Sequence, residues 1–214
     1  MLTRRQMLLA GGAVVLAGVG VAVAEADDPR VRRVLHQVGL ADSPDHSVPD
    51  AHVATESGTL TSAHMPHPVG WTIASPATTA RGVVYCLHGH ANDHRQAFRD
   101  GALLAAERAP DRFAAVVASS PALWTDAGAT PAIAFDGAAD YHRNDVFAGV
   151  DRLASLEARV DCGTDDPFYD AARMFVSRLP HPNPGSFGEG FHDAAYWRSV
   201  APAQVATIGH ALLT

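Results

Sequence analysis

The chain has 214 residues, of which 47% are apolar and 18% charged, and a net charge of −7 at neutral pH. That length and composition suit one globular domain with a sizeable core and exclude a compositionally disordered chain. The acidic balance, with no basic stripe, gives sequence-independent phosphate binding no footing, so nucleic acid is not an expected partner.

At the amino terminus, Thr3-Arg4-Arg5-Gln6-Met7-Leu8 leads into an apolar stretch from Leu8 to Ala24 that is rich in glycine and alanine, and Ala22-Val23-Ala24 offers a small-x-small cleavage site before Glu25. The arrangement resembles a twin-arginine export signal. An apolar stretch of roughly 17 residues also touches the lower limit for a spanning helix, so an uncleaved membrane anchor is the competing reading. Residues 1–24 are therefore the expected signal or anchor and the only expected membrane contact. Residues 25–214 form a single expected domain, exported to the cell envelope or secreted.

Arg30 to Gly39 reads as a short basic helix, and Ser57 to His64 with Gly70 to Ser75 as an early strand pair bounded by proline and glycine. The next signal is Gly82-Val83-Val84-Tyr85-Cys86-Leu87-His88-Gly89-His90, an apolar run that breaks into a Gly/His turn and predicts a buried strand delivering a polar loop. After the polar stretch Ala91 to Asp100 comes a small-residue helix, Gly101 to Pro110, and then a strand, Phe113 to Ala118. Asp145 to Leu156 and Phe168 to Leu179 have the spacing of amphipathic helices, and Ala194 to Leu213 that of a terminal helix interrupted near Pro202.

This succession resembles the α/β-hydrolase fold, in the esterase branch that includes esterase D and the antigen 85 mycolyltransferases. The resemblance covers most of residues 30–214 and implies a mostly parallel sheet flanked by helices. In that branch the strand ending in His-Gly supplies part of the oxyanion hole, here His88, Gly89 and His90, and a Gly-x-Ser-x-Gly elbow opens the helix that continues here as Gly101-Ala102-Leu103-Leu104-Ala105-Ala106. Val160-Asp161-Cys162-Gly163-Thr164-Asp165-Asp166-Pro167-Phe168 looks like the segment carrying the catalytic acid, and Gly190-Phe191-His192-Asp193 with Tyr196-Trp197 like the histidine loop. Carried over by position, Asp166 is the acid and His192 the base, in the order the superfamily uses.

The elbow itself is missing. No Gly-x-Ser-x-Gly occurs, and the nearest string, Gly185-Ser186-Phe187-Gly188, reads as a turn. A βαβ unit takes roughly 30 or more residues, yet only Ala91 to Asp100 separates the oxyanion loop from the helix that should follow the nucleophile. The expected sheet is thus incomplete, with internal strands lost, apolar faces uncovered and backbone edges unpaired.

Serine hydrolysis requires three groups together: a hydroxyl, a histidine to take its proton, and a carboxylate to fix the imidazole tautomer. With Asp166 and His192 but no nucleophile, acyl-enzyme chemistry is expected to be impaired or absent. The oxyanion hole is half built, because its second donor normally follows the nucleophile. Ser119 and Ser120, at the carboxyl end of a strand, are the only substitutes in a plausible place; their ordinary role is to end the strand through bonds to nearby backbone. Likewise, the ordinary role of Asp165 and Asp166 is a turn or helix cap ahead of Pro167.

The resemblance implies a small-molecule or lipid ester as substrate and no cofactor or metal. A different class of chemistry is suggested by His88-Gly89-His90-Ala91-Asn92-Asp93-His94, which resembles, one residue out of step, the zinc loop of metallo-β-lactamase-like hydrolases. A non-catalytic pseudoenzyme is the third reading. Cys86 and Cys162 are expected as free thiols inside buried strands.

Overall fold

The computed structural model describes residues 28–43, 55–63, 67–75, 79–80, 82–86, 106, 108, 110–132 and 134–214. The expected export signal, the expected oxyanion residues His88 to His90, His94 and most of the helix expected over Gly101 to Pro110 lie outside the described residues. Within them the chain is a mixed α/β structure with two two-stranded sheets, one antiparallel and one parallel.

Helix α1, Pro29–Gln37, starts with proline in its first turn and Asp28 as N-cap, whose carboxylate accepts from the Arg30 N–H. Strands β1, Thr55–Leu60, and β2, Val69–Ala74, pair antiparallel from Thr55 opposite Ala74 to Leu60 opposite Val69. This is the predicted early hairpin, and no side chain on it is fully buried.

The core forms around strands β3, Ala115–Ser119, and β4, Glu157–Asp161, which pair in parallel with Ser119 opposite Asp161. Side chains alternate across a strand pair, so each face has its own neighbour. Val116, Ala118, Ala158 and Val160 point into the main apolar cluster with Leu153, Ala172 and Phe175. Ser119 and Asp161 point the other way, onto Gln204. The parallel connection passes through helix α2, Ala138–Arg143, helix α3, Val146–Gly149, and a 3-10 turn, Val150–Ser155.

Helix α4, Tyr169–Arg178, buries Ala172, Phe175 and Val176, an i, i+3, i+4 stripe, and Leu179 just beyond its end completes it. Helix α5, Ala194–Ala211, is N-capped by Asp193, whose carboxylate accepts from the Tyr196 N–H. A third extended segment runs along the far edge of β4: Asn183 bridges Arg159, the Cys162 N–H donates to the Ser186 carbonyl at 3.0 Å, and the Thr164 N–H to the Gly188 carbonyl at 2.9 Å.

Several expectations are corrected. Gly82–Cys86 is neither a strand nor buried: Val83 is 70% exposed and Tyr85 71%. A strand is a paired state, and among the described residues β3 pairs only with β4, so the apolar run has no ladder to join. Cys86, placed in that run, is consequently exposed; both cysteines are free, and only Cys162 is buried. The expected helix Asp145 to Leu156 is split, with Asp145 capping a single turn that tightens into 3-10 geometry after Gly149. Conversely, α5 runs through Pro202 without interruption. Tyr196, Trp197 and Val200 before the proline and Gln204 after it are all buried on one side, which holds both halves in line despite the lost hydrogen bond.

Candidate functional site

Asp166 and His192 come together. Strand β4 ends at Asp161, and the chain then turns through Cys162-Gly163-Thr164-Asp165 so that Asp166 is fully buried. Its Oδ1 accepts from the Phe168 N–H at 2.8 Å, a local turn, while Oδ2 lies 2.9 Å from His192 Nδ1. The turn and the contact with His192 are thus made by one side chain through different oxygens. The helix cap expected of these aspartates is not made: Phe168 occupies the N-cap position of α4, without a side-chain cap bond.

The histidine is reached from the other side. Residues 183–190 track β4 and its outgoing loop, and the Asp165 N–H donates to the Gly190 carbonyl at 3.0 Å, so the acid loop and the histidine loop are hydrogen-bonded to each other just ahead of the pair. The imidazole packs edge-on against Phe168 and Trp197, with centroids at 5.6 Å and 5.2 Å. Because a carboxylate only accepts, Asp166 fixes the proton on Nδ1 and leaves the Nε2 lone pair free. The His192 side chain is 32% exposed, so this nitrogen belongs to a ring that water can reach.

The serines do not complete the set. Ser119 Oγ is 2.8 Å from Gln204 Nε2, which also donates to Asp161 Oδ2 at 2.7 Å. Ser120 is fully buried, with φ +45°, a left-handed conformation that strains a non-glycine residue. Its hydroxyl has the Cys162 thiol as neighbour and no stronger partner. The expected serine side-chain bonds to nearby backbone at the end of the strand are not made. Ser119 reaches across to α5, and the Ser120 N–H donates to the Asp161 carbonyl at 2.7 Å. Among the described residues no hydroxyl is hydrogen-bonded to His192 Nε2. Cys162 is no substitute nucleophile, since burial first and the Asp166 carboxylate second push its thiol far above the ordinary value.

Two features around the site were not read from the sequence. One is the network centred on fully buried Asp161, which accepts from Arg159 Nε at 3.0 Å, Arg159 Nη2 at 2.7 Å, the Ser186 N–H at 2.6 Å and Gln204 Nε2. Its signal was present: Arg159 and Asp161 stand two apart on one strand and so on one face. The other is a set of contacts from residues 28–43. Arg32 Nε is 3.1 Å from Asp165 Oδ2 and Arg32 Nη2 is 2.6 Å from Glu189 Oε1. Ser43 Oγ accepts from the Phe191 N–H at 2.8 Å, and His36 stacks on Phe191 with centroids 4.2 Å apart. No local pattern announces contacts of that sequence separation.

Burial pushes the Asp165 carboxyl above its ordinary 3.8, with Arg32 pulling the other way. A raised carboxylate contributes stability that is fully present below 3.8 and lost as pH rises through the raised value. In Asp165→Asn that loss disappears, so the stability of the variant relative to the unaltered chain rises as pH climbs from below 3.8 toward neutrality. Urea melts at acid and neutral pH check this; a constant difference between the two proteins contradicts it.

No family model matches the chain, and no curated protein does. The site must therefore be argued on its own geometry. Among the described residues no cluster of three His, Cys, Asp or Glu side chains could hold a metal ion, and the His88, His90 and His94 loop lies outside them. No helix among the described residues is long and apolar enough to cross a membrane.

Proposed function

We propose that this chain is a relative of the serine esterases that keeps the acid–base half of an ester-cleaving site and lacks the nucleophile. The observation that carries the reading is the 2.9 Å contact between His192 Nδ1 and the fully buried Asp166 Oδ2. The parallel pairing of β3 with β4, with Asp166 on the loop after β4, supports this reading. The sequence from Leu87 to Ala105, where the elbow would stand, contains no serine, threonine or cysteine.

The chemistry left to such a pair is general-base catalysis. His192 Nε2 takes a proton from water as the water oxygen bonds to the ester carbonyl carbon, and returns it to the departing alkoxide when the carbon–oxygen bond breaks. Asp166 stabilises the imidazolium between the two steps. No acyl-enzyme forms, and neither metal nor cofactor takes part. Exposure of the ring to water suits this route. Full burial of Ser120 and engagement of Ser119 by Gln204 speak against a seryl intermediate. The substrate class is a small-molecule or lipid carboxylic ester, and the resemblance of Thr3 to Ala24 to an export signal supports an exported site of action.

A fluorophosphonate probe with intact-mass detection, run beside a p-nitrophenyl acetate assay, tests the reading. The expected result is no covalent adduct, together with slow hydrolysis that falls by about a hundredfold or more in His192→Ala, the lower end of general acid–base effects. A stoichiometric adduct on Ser119 or Ser120 overturns it. So does turnover that survives loss of the imidazole.

A further inference from the structure

Residues 28–43 touch the proposed site at positions adjacent to its two members or within three residues of them. Arg32 reaches Asp165, the neighbour of Asp166, and Glu189. The Arg32 guanidinium also sits over the Phe191 ring, 5.7 Å from its centroid, and His36 stacks on the same ring with planes 4° apart. Ser43, itself buried, takes the Phe191 N–H, and His36 Nε2 stands 3.6 Å from Asp193 Oδ2. Phe191 and Asp193 flank His192 on either side.

Helix α1 buries none of its own residues, and Val34, Val38 and Leu40 remain 59%, 60% and 66% exposed. Val31 and Leu35 are only partly buried, so apolar packing is at most part of what places this segment. A guanidinium, an imidazole and a hydroxyl of this segment reach the loops of Asp166 and His192.

We propose that residues 28–43 are a clamp that sets the His192 ring against Asp166, with Ser43 and Arg32 as positioning residues. The inference rests on the acid–base reading above. Ser43 holds the backbone immediately before His192 by the one hydrogen bond that its buried N–H makes. Arg32 ties the acid loop to the histidine loop through Asp165 and Glu189, so both members of the pair are referred to one guanidinium. Loss of either contact leaves the ring free to swing while β4 and its core stay in place.

The test is the His192 Nδ1 proton, read by NMR in the full chain and assigned by its loss in His192→Gln. In the unaltered chain the proton is expected as a slowly exchanging downfield resonance. In Ser43→Ala and in Arg32→Met its exchange with water is expected to rise by about tenfold or more, because an unsatisfied buried N–H or an unpaired loop favours local opening. Ser43→Thr, which keeps the hydroxyl, is expected to restore it to within about twofold. Exchange at the Val160 amide, deep in β4, is expected to stay unchanged, which a general loss of stability would not allow. Unaltered Nδ1 exchange in both Ser43→Ala and Arg32→Met overturns the clamp alone. If the unaltered chain has no such resonance to lose, the acid–base pair itself fails and the clamp falls with it.

Discussion

Replacing Asp161 by alanine is expected to remove a large share of the stability of the fold. The carboxylate has no exposed surface and gathers Arg159, Ser186 and Gln204 on its two oxygens. Without it the Arg159 guanidinium, on a side chain only 15% exposed, keeps its charge and loses the carboxylate it pairs with among the described residues. The Ser186 N–H is orphaned in the same step, and Gln204 is left with Ser119 alone. Breaking a buried pair from one side costs about 3–5 kcal/mol, a large share of the roughly 5–15 kcal/mol that holds a domain together. The network also joins three pieces of chain, β4, the 183–190 segment and α5, so the loss spreads beyond the strand.

Urea melting followed by near-ultraviolet circular dichroism checks this, with Asp161→Asn as the companion. The amide keeps one acceptor for Gln204 or the Ser186 N–H but cannot neutralise Arg159, so it should fall between the two proteins. A midpoint for Asp161→Ala within the error of the unaltered chain would mean that water replaces the carboxylate, and that Arg159 and Gln204 do not hold α5 on the sheet.

Much of this arrangement was legible, and the boundary has a physical cause. Helix α4 follows from spacing alone, because the buried stripe Ala172, Phe175, Val176 and Leu179 is a property of one segment, whereas the continuity of α5 through Pro202 does not. Asp166 and His192 were legible through their motifs, which place each on its loop. Their meeting needed the 183–190 segment to track β4, and that register depends on backbone partners far apart in sequence. The strand expected over Gly82 to Leu87 fails for the same reason from the other side. Val83, Val84 and Tyr85 carry strand propensity, but propensity reflects fit to a neighbouring strand, and here Tyr85 finds only an edge contact with Phe113, its centroid 6.3 Å away. Ser43 and Arg32 carry no local signal, since a lone serine after a short helix looks the same whether or not it caps a distant N–H.

Gly163→Ala is expected to separate the acid from the histidine. A methyl group on Gly163 would stand against the Gly190 carbonyl oxygen and its carbon, at distances no real side chain tolerates. The obstacle is backbone on both sides, so no rotamer change relieves it. The Asp165 N–H donates to that same Gly190 carbonyl. Moving the carbonyl away breaks the bond that links the acid loop to the histidine loop. Gly190 has φ +157° and packs against the Tyr196 ring, so it cannot retreat toward α5 without a second clash. Overpacking costs about 1–3 kcal/mol, and rigid backbone on both sides puts this case at about 3 kcal/mol, near the top of that range. The displacement falls two residues from His192, so the expected signature is loss of the slowly exchanging Nδ1 proton and of His192-dependent ester turnover in a chain that still melts cooperatively. Retention of both, at an unchanged melting midpoint, would mean that the two loops can part at Gly163 without moving the ring, and that the Asp165 to Gly190 bond does not align the pair.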